Sequence, residues 1–122
     1  MLTSPCRTIG FYRTDSGCSP VEEFLDSLPD QQVRRVLWTL KLVEELELVP
    51  QQYLKKLEGY GHLWEIRIRI GRVAYRVLGF FDGPALLILT CAFSKKQQKT
   101  PVRELKLAEQ RRKEYLGRRG KP

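Results

Sequence analysis

The sequence predicts an α+β fold, and three observations predict it. Apolar residues recur at helical spacing over residues 33–48. They alternate at period two over residues 63–81. A nearly all-apolar run then fills residues 85–93. The expected order is an N-terminal strand, a helical hairpin, a three-stranded antiparallel meander and a C-terminal helix. At 122 residues the chain is expected to form one domain, 1–122, with a core over about 7–117 and a basic C-terminal tail.

Residues 7–12 form a short first strand, followed by the turn at Asp15, Ser16 and Gly17. Ser19, Pro20 and Glu22 then start a helix. Ser19 caps the free N–H groups, Pro20 suits the first helical position and Glu22 completes a capping box. Leu28, Pro29 and Asp30 break that helix and open a second. In it Val33, Val36, Leu37, Leu40 and Val43 form an apolar stripe down to about Leu48. Phe24 and Trp38 fall within this hairpin and are assigned to the core. Residues 50–61 are a connector.

Beyond it, Trp64, Ile66, Ile68 and Ile70 face one way, and Leu63, Glu65, Arg67 and Arg69 the other. In residues 72–81 the apolar face carries Val73, Tyr75, Val77 and Phe81, and the opposite face begins with Arg72, Ala74 and Arg76. Gly71 joins the two strands as a hairpin. Matching the apolar faces pairs Ile66 with Tyr75 and Ile68 with Val73, sets Glu65 opposite Arg76, and gathers Arg67, Arg69, Arg72 and Arg76 on one face. The run 85–93 is a strand covered on both sides. Thr100 as cap and Pro101 then start the last helix, which is strongly basic from Arg103 to Lys113 and reaches about Leu116.

The formal net charge of +8 suggests a polyanionic or acidic partner. No run is long and apolar enough to span a bilayer, and residues 1–9 lack the pattern of a secretory leader, so the cytoplasm is expected. Cys6, Cys18 and Cys91 have no framework spacing, and Cys91 reads as a buried small hydrophobe. With His62 the sole histidine, and placed in a loop, no metal and no cofactor are expected. Trp64 reads as core and Tyr115 as a packing residue.

The four strand arginines and the lysines after residue 94 could together make a basic patch suited to a phosphate backbone. RNA can be cut there without metal or histidine, because the ribose 2′-OH is its own nucleophile. Arginine orients the phosphate and stabilises its developing charge, and a lysine crowded by cations loses its proton more readily. Two bland readings stand beside this one. The arginines could be solvated side chains, and Glu65 with Arg76 an ordinary cross-strand ion pair.

Three motifs in order carry a resemblance. They are Gly61-His62-Leu63-Trp64-Glu65-Ile66-Arg67-Ile68, then Ala74-Tyr75-Arg76-Val77, then Phe93-Ser94-Lys95-Lys96-Gln97-Gln98-Lys99-Thr100-Pro101. The segment Arg111-Arg112-Lys113-Glu114-Tyr115-Leu116 continues them. Together they resemble the phage-derived, HigB-type branch of the RelE/HigB toxin superfamily. The resemblance implies a RelE-like fold, cleavage of mRNA at the ribosome, and a cognate antitoxin with a helix-turn-helix domain. It implies that Arg76 holds the scissile phosphate and that Arg67 serves proton transfer or phosphate binding. Lys95 and Lys96 match the basic residues after the last strand, and Arg69, Arg72 and Lys99 are general RNA contacts. Relatives often carry a tyrosine or histidine as acid or base. Here Gln97 and Gln98 follow Lys96, so either a lysine moves protons or the site works by orienting the RNA. A ParE-like DNA gyrase poison and a non-catalytic RNA-binding relative are the alternatives. Arg111 and Arg112, on the last helix, are candidates for docking an acidic antitoxin segment.

Overall fold

A computed structural model describes residues 5–95 and 99–119. Strand β1 (Thr8–Phe11) leads to helices α1 (Pro20–Asp26) and α2 (Asp30–Glu45). Strands β2 (Leu54–Lys56), β3 (Trp64–Ile70), β4 (Val73–Phe81) and β5 (Leu86–Lys95) follow, and α3 (Val102–Arg119) ends the chain. The sheet order is β1-β5-β4-β3-β2, with β1 parallel to β5 and every other pair antiparallel. The predicted α+β order holds. The meander gains one short strand, β2, inside the stretch expected to be a connector. Three residues are too few for period two to show in sequence.

A local signal starts α1, and a long-range partner marks the end of α2. The Ser19 side chain accepts the Glu22 amide N–H, and Pro20 occupies the first turn of α1. Helix α2 stops at Glu45, short of the expected residue 48. There the Arg7 guanidinium donates to the carbonyls of Val43, Leu46 and Glu47, which a longer helix would have had to satisfy itself. Val36, Leu40 and Val43 face the sheet. Leu37 and Trp38, expected in the core, are 50% and 47% exposed, because each step along a helix rotates a side chain by roughly 100°. Phe24 meets Tyr75 edge-on, as a partly buried wall of the core.

The β3–β4 register differs from the expected one by two residues. Ile66 pairs with Val77, Ile68 with Tyr75, Arg67 with Arg76 and Arg69 with Ala74. The turn decides this. Gly71 and Arg72 are its central residues, and Gly71 has φ +59° while no non-glycine residue among those described has positive φ. Glycine at the first central position fits a type II′ hairpin. The expected register would have put the β-branched Ile70 there. A two-residue slip keeps each side chain on its face, so the assignment of faces survives. Arg72, however, sits in the turn and not on the strand.

The helical hairpin covers one face of the sheet, over Ile66, Ile68, Tyr75, Val77, Leu87 and Leu89. Helix α3 covers part of the other, where Leu105 and Ala108 pack on Leu63, Leu78 and Cys91, and Tyr115 and Leu116 pack on Phe80 and Ile88. Between these groups β5 bulges. Leu78 pairs with Cys91 and Gly79 with Leu89, so Thr90 is the extra residue. The bulge is satisfied internally, since Thr90 Oγ1 donates to the Leu78 carbonyl and Arg111 donates to the Thr90 carbonyl. It also reverses the phase of β5. Leu87 and Leu89 face the helical hairpin, whereas Cys91, Phe93 and Lys95 face α3. Without the bulge, strict alternation would place Lys95 on the hairpin side.

Gly79 allows the close approach at the bulge. A Cβ there would lie 2.5 Å from the Ile88 carbonyl oxygen, with backbone that cannot swing aside. Gly79→Ala is expected to cost about 1–3 kcal/mol in urea denaturation. Gly61→Ala, which meets open space, should change stability by less than about 0.5 kcal/mol.

Candidate functional site

On the α3 side of β3, one carboxylate is buried among cations. Glu65 is 3% exposed. Its Oε1 lies 3.2 Å from Arg76 Nε and 3.4 Å from Arg67 Nε, and its Oε2 accepts the Thr100 hydroxyl. Thr100 was expected to cap α3. Its hydroxyl is instead directed to Glu65, which ties the segment ahead of α3 to strand β3. Arg76 is 7% exposed, and its Nη1 donates to the carbonyl of its neighbour Tyr75. The Nε–Oε1 contact is an ion pair and not an aligned hydrogen bond, since Arg76 Nε is buried with no acceptor along its N–H.

The strand pairings assemble the rest. Arg67 stands directly across from Arg76, and Arg69, Ala74 and Lys95 form the next row toward the hairpin turn. Lys95 is 6% exposed. Burial pushes its ammonium below the ordinary lysine value, with Arg76 and Arg67 adding repulsion and Glu65 partly offsetting it. Burial likewise lowers Arg76 from the usual arginine value. Glu65 opposes that shift, while Arg67 and Arg69 add to it. The guanidinium still stays charged at any working pH.

The structure therefore brings Arg67, Arg76 and Lys95 together around Glu65. Arg69 is exposed at the edge of the group, Arg72 is exposed in the turn, and Lys99 is exposed ahead of α3. Lys96 lies outside the described residues. Glu65 was legible only as an ion-pair partner and Thr100 only as a cap. The available signal was one acid set among alternating strand arginines. Lys55, within the presumed connector, pairs with Glu65 across β2–β3 and shares its face.

Chemically the cluster combines two fixed guanidinium groups, a lysine biased toward its neutral form, and one carboxylate saturated by its own neighbours. Such a face can hold a phosphate diester and exchange a proton beside it. A groove of about 570 Å³ between β1 and α2 has a different character. Its charges are used locally, with Lys41 paired to Glu45 and the Glu44 carboxylate accepting the Ile9 amide. On α3, Arg111 is held by the bulge and Arg112 pairs with Glu109. No helix among the described residues is long and apolar enough to cross a membrane.

Fold and site together define a small α+β protein with a basic, carboxylate-centred face on its sheet. The family model described as phage derived protein Gp49-like (DUF891) matches residues 23–113, and the chain belongs to that family, a toxin-like family of toxin–antitoxin systems. The matched span contains Glu65, Arg67, Arg76, Lys95 and Thr100. No curated protein matches the chain.

Removing the carboxylate and removing the lysine should act oppositely. Glu65→Gln leaves buried cations without a counter-charge and is expected to lose about 3–5 kcal/mol. Lys95 has a folded-state value below 10.5, so its stabilising contribution is present above pH 10.5 and lost as pH falls through the folded value. At pH 7 its charge therefore works against folding. Lys95→Met should match or exceed the wild-type Tm at pH 7, and the difference should shrink as pH approaches 10.5. Calorimetry at both pH values checks both variants.

Proposed function

We propose that the protein is the toxin of a toxin–antitoxin pair and that it is a metal-independent endoribonuclease acting on mRNA at the ribosome. The observation that carries this reading is the convergence of Arg67, Arg76 and Lys95 on the buried Glu65. Arg76 and Arg67 bind the scissile phosphate from one side. Glu65 is a positioning residue that keeps both guanidinium groups aimed outward from the sheet. Lys95, biased toward the neutral amine, accepts the proton of the ribose 2′-OH. The resulting alkoxide attacks the adjacent phosphorus, and the added negative charge falls on the arginines. The bond to the 5′-oxygen then breaks. That oxygen takes a proton, for which Lys96 is the proposed donor, leaving a 2′,3′-cyclic phosphate and a 5′-hydroxyl. Because the RNA supplies the nucleophile, this scheme calls on no metal or cofactor. Arg69, Arg72 and Lys99 contact flanking phosphates.

The proposed setting is the bacterial cytoplasm, with mRNA and ribosome as targets, a helix-turn-helix antitoxin as protein partner and no role for a membrane. The test is brief induction in cells followed by mapping of new mRNA 5′ ends, comparing wild type with Arg76→Ala and Lys95→Ala. New ends at codon boundaries are expected for wild type, with at least a hundredfold fewer for Arg76→Ala, on the order of the loss of one anion-stabilising donor. Growth arrest with intact mRNA and damaged DNA would contradict the nuclease and favour a gyrase poison.

A further inference from the structure

We propose that single-stranded RNA leaving the Glu65 site crosses the β2 edge of the sheet and stacks a base on Trp38. This rests on the RNA reading above and adds to it a second subsite on α2. Trp38 is 47% exposed, the largest side chain left so open on this side of the fold. It is held in place all the same. Tyr53 meets it edge-on at 6.1 Å between ring centroids, and the Arg35 guanidinium lies 4.7 Å from its ring centroid. A fixed, exposed indole beside a cation is suited to sequence-tolerant stacking of a nucleobase.

The path from the site to this platform is short. Tyr53 offers its carbonyl to the Arg67 amide at 2.8 Å, so the residue buttressing Trp38 is bonded to the strand that bears Arg67. Strand β2 is the sheet edge and has only three residues, so a chain rounding it has little to cross. Its two lysines straddle that edge. Lys55 pairs with Glu65 and lies on the site face, while Lys56 pairs with Trp64 and lies on the face that α2 covers. No salt bridge engages Arg34, Arg35, Lys55 or Lys56 among the described residues. Cations that make no salt bridge among the described residues, set beside two aromatic rings and tied through Tyr53 to the strand that bears Arg67, favour a nucleic acid strand over a protein segment.

The test uses the full-length protein and a twelve-residue 2′-O-methyl oligoribonucleotide, which lacks the 2′-OH needed for cleavage. A Trp64→Phe background leaves Trp38 as the only tryptophan. Saturable quenching of Trp38 emission by the oligonucleotide is expected. Trp38→Ala should weaken binding about tenfold at unchanged salt dependence, and Trp38→Phe should restore most of it. Lys55→Ala should instead make the plot of log affinity against log salt shallower by about 0.7. If Trp38→Ala binds like its parent and emission is not quenched, while Arg76→Ala weakens binding, the platform is overturned and the RNA site stands. The exposed indole is then left for a protein partner. If the parent protein binds no oligonucleotide at all, both the platform and the RNA reading are overturned.

Discussion

The basic face depends on one buried carboxylate. Arg76 is almost wholly enclosed, and a guanidinium in that position is tolerated only beside a compensating charge. Glu65 provides it, and at the same time it engages Arg67 and the Thr100 hydroxyl. Both of its oxygens are occupied, so the carboxylate does not remain as a negative charge offered to an incoming phosphate. The outcome is an excess of fixed positive charge whose members repel one another and are nevertheless held close. Lys95 is shifted below the ordinary lysine value by burial first and by the repulsion of Arg76 second.

A second constraint makes the cluster possible at all. Lys95 belongs to the same strand as Leu87 and Leu89, an even number of residues away, and alternation alone would send it into the opposite core. The extra residue at Thr90 shifts the phase, Gly79 makes room for it, and Arg111 of α3 satisfies the displaced carbonyl. The packing of α3 and the composition of the site are thus coupled through one irregularity in the sheet. The span matched by the family model encloses all of these residues.

Much of this was legible in the sequence. The Ser19–Pro20 helix start, the alternation of residues 64–70 and the apolar run of β5 each follow a local rule, and each element forms there, except that β5 runs two residues past its apolar stretch and takes in Ser94 and Lys95. Arg67 and Arg76 were placed on one face by periodicity alone. What escaped depends on long-range partners. The end of α2 is set by Arg7, far away in sequence. The register follows from which turn residue tolerates positive φ. Strand β2 has too few residues to show a period. The bulge has no sequence marker except a glycine on the opposing strand. Glu65 and Thr100 lie 35 residues apart, and each had a sufficient local reading that did not need the other.

The central claim is that Glu65 and Arg76 are energetically coupled and that this coupling fixes the basic face. A double-mutant cycle on folding stability, using Glu65→Gln, Arg76→Gln and the double variant in urea denaturation, tests it most directly. A coupling of about 1–3 kcal/mol is the result this account predicts. Losses that add to within about 0.3 kcal/mol would show that the two residues act independently, and the carboxylate would then have no organising part in the site.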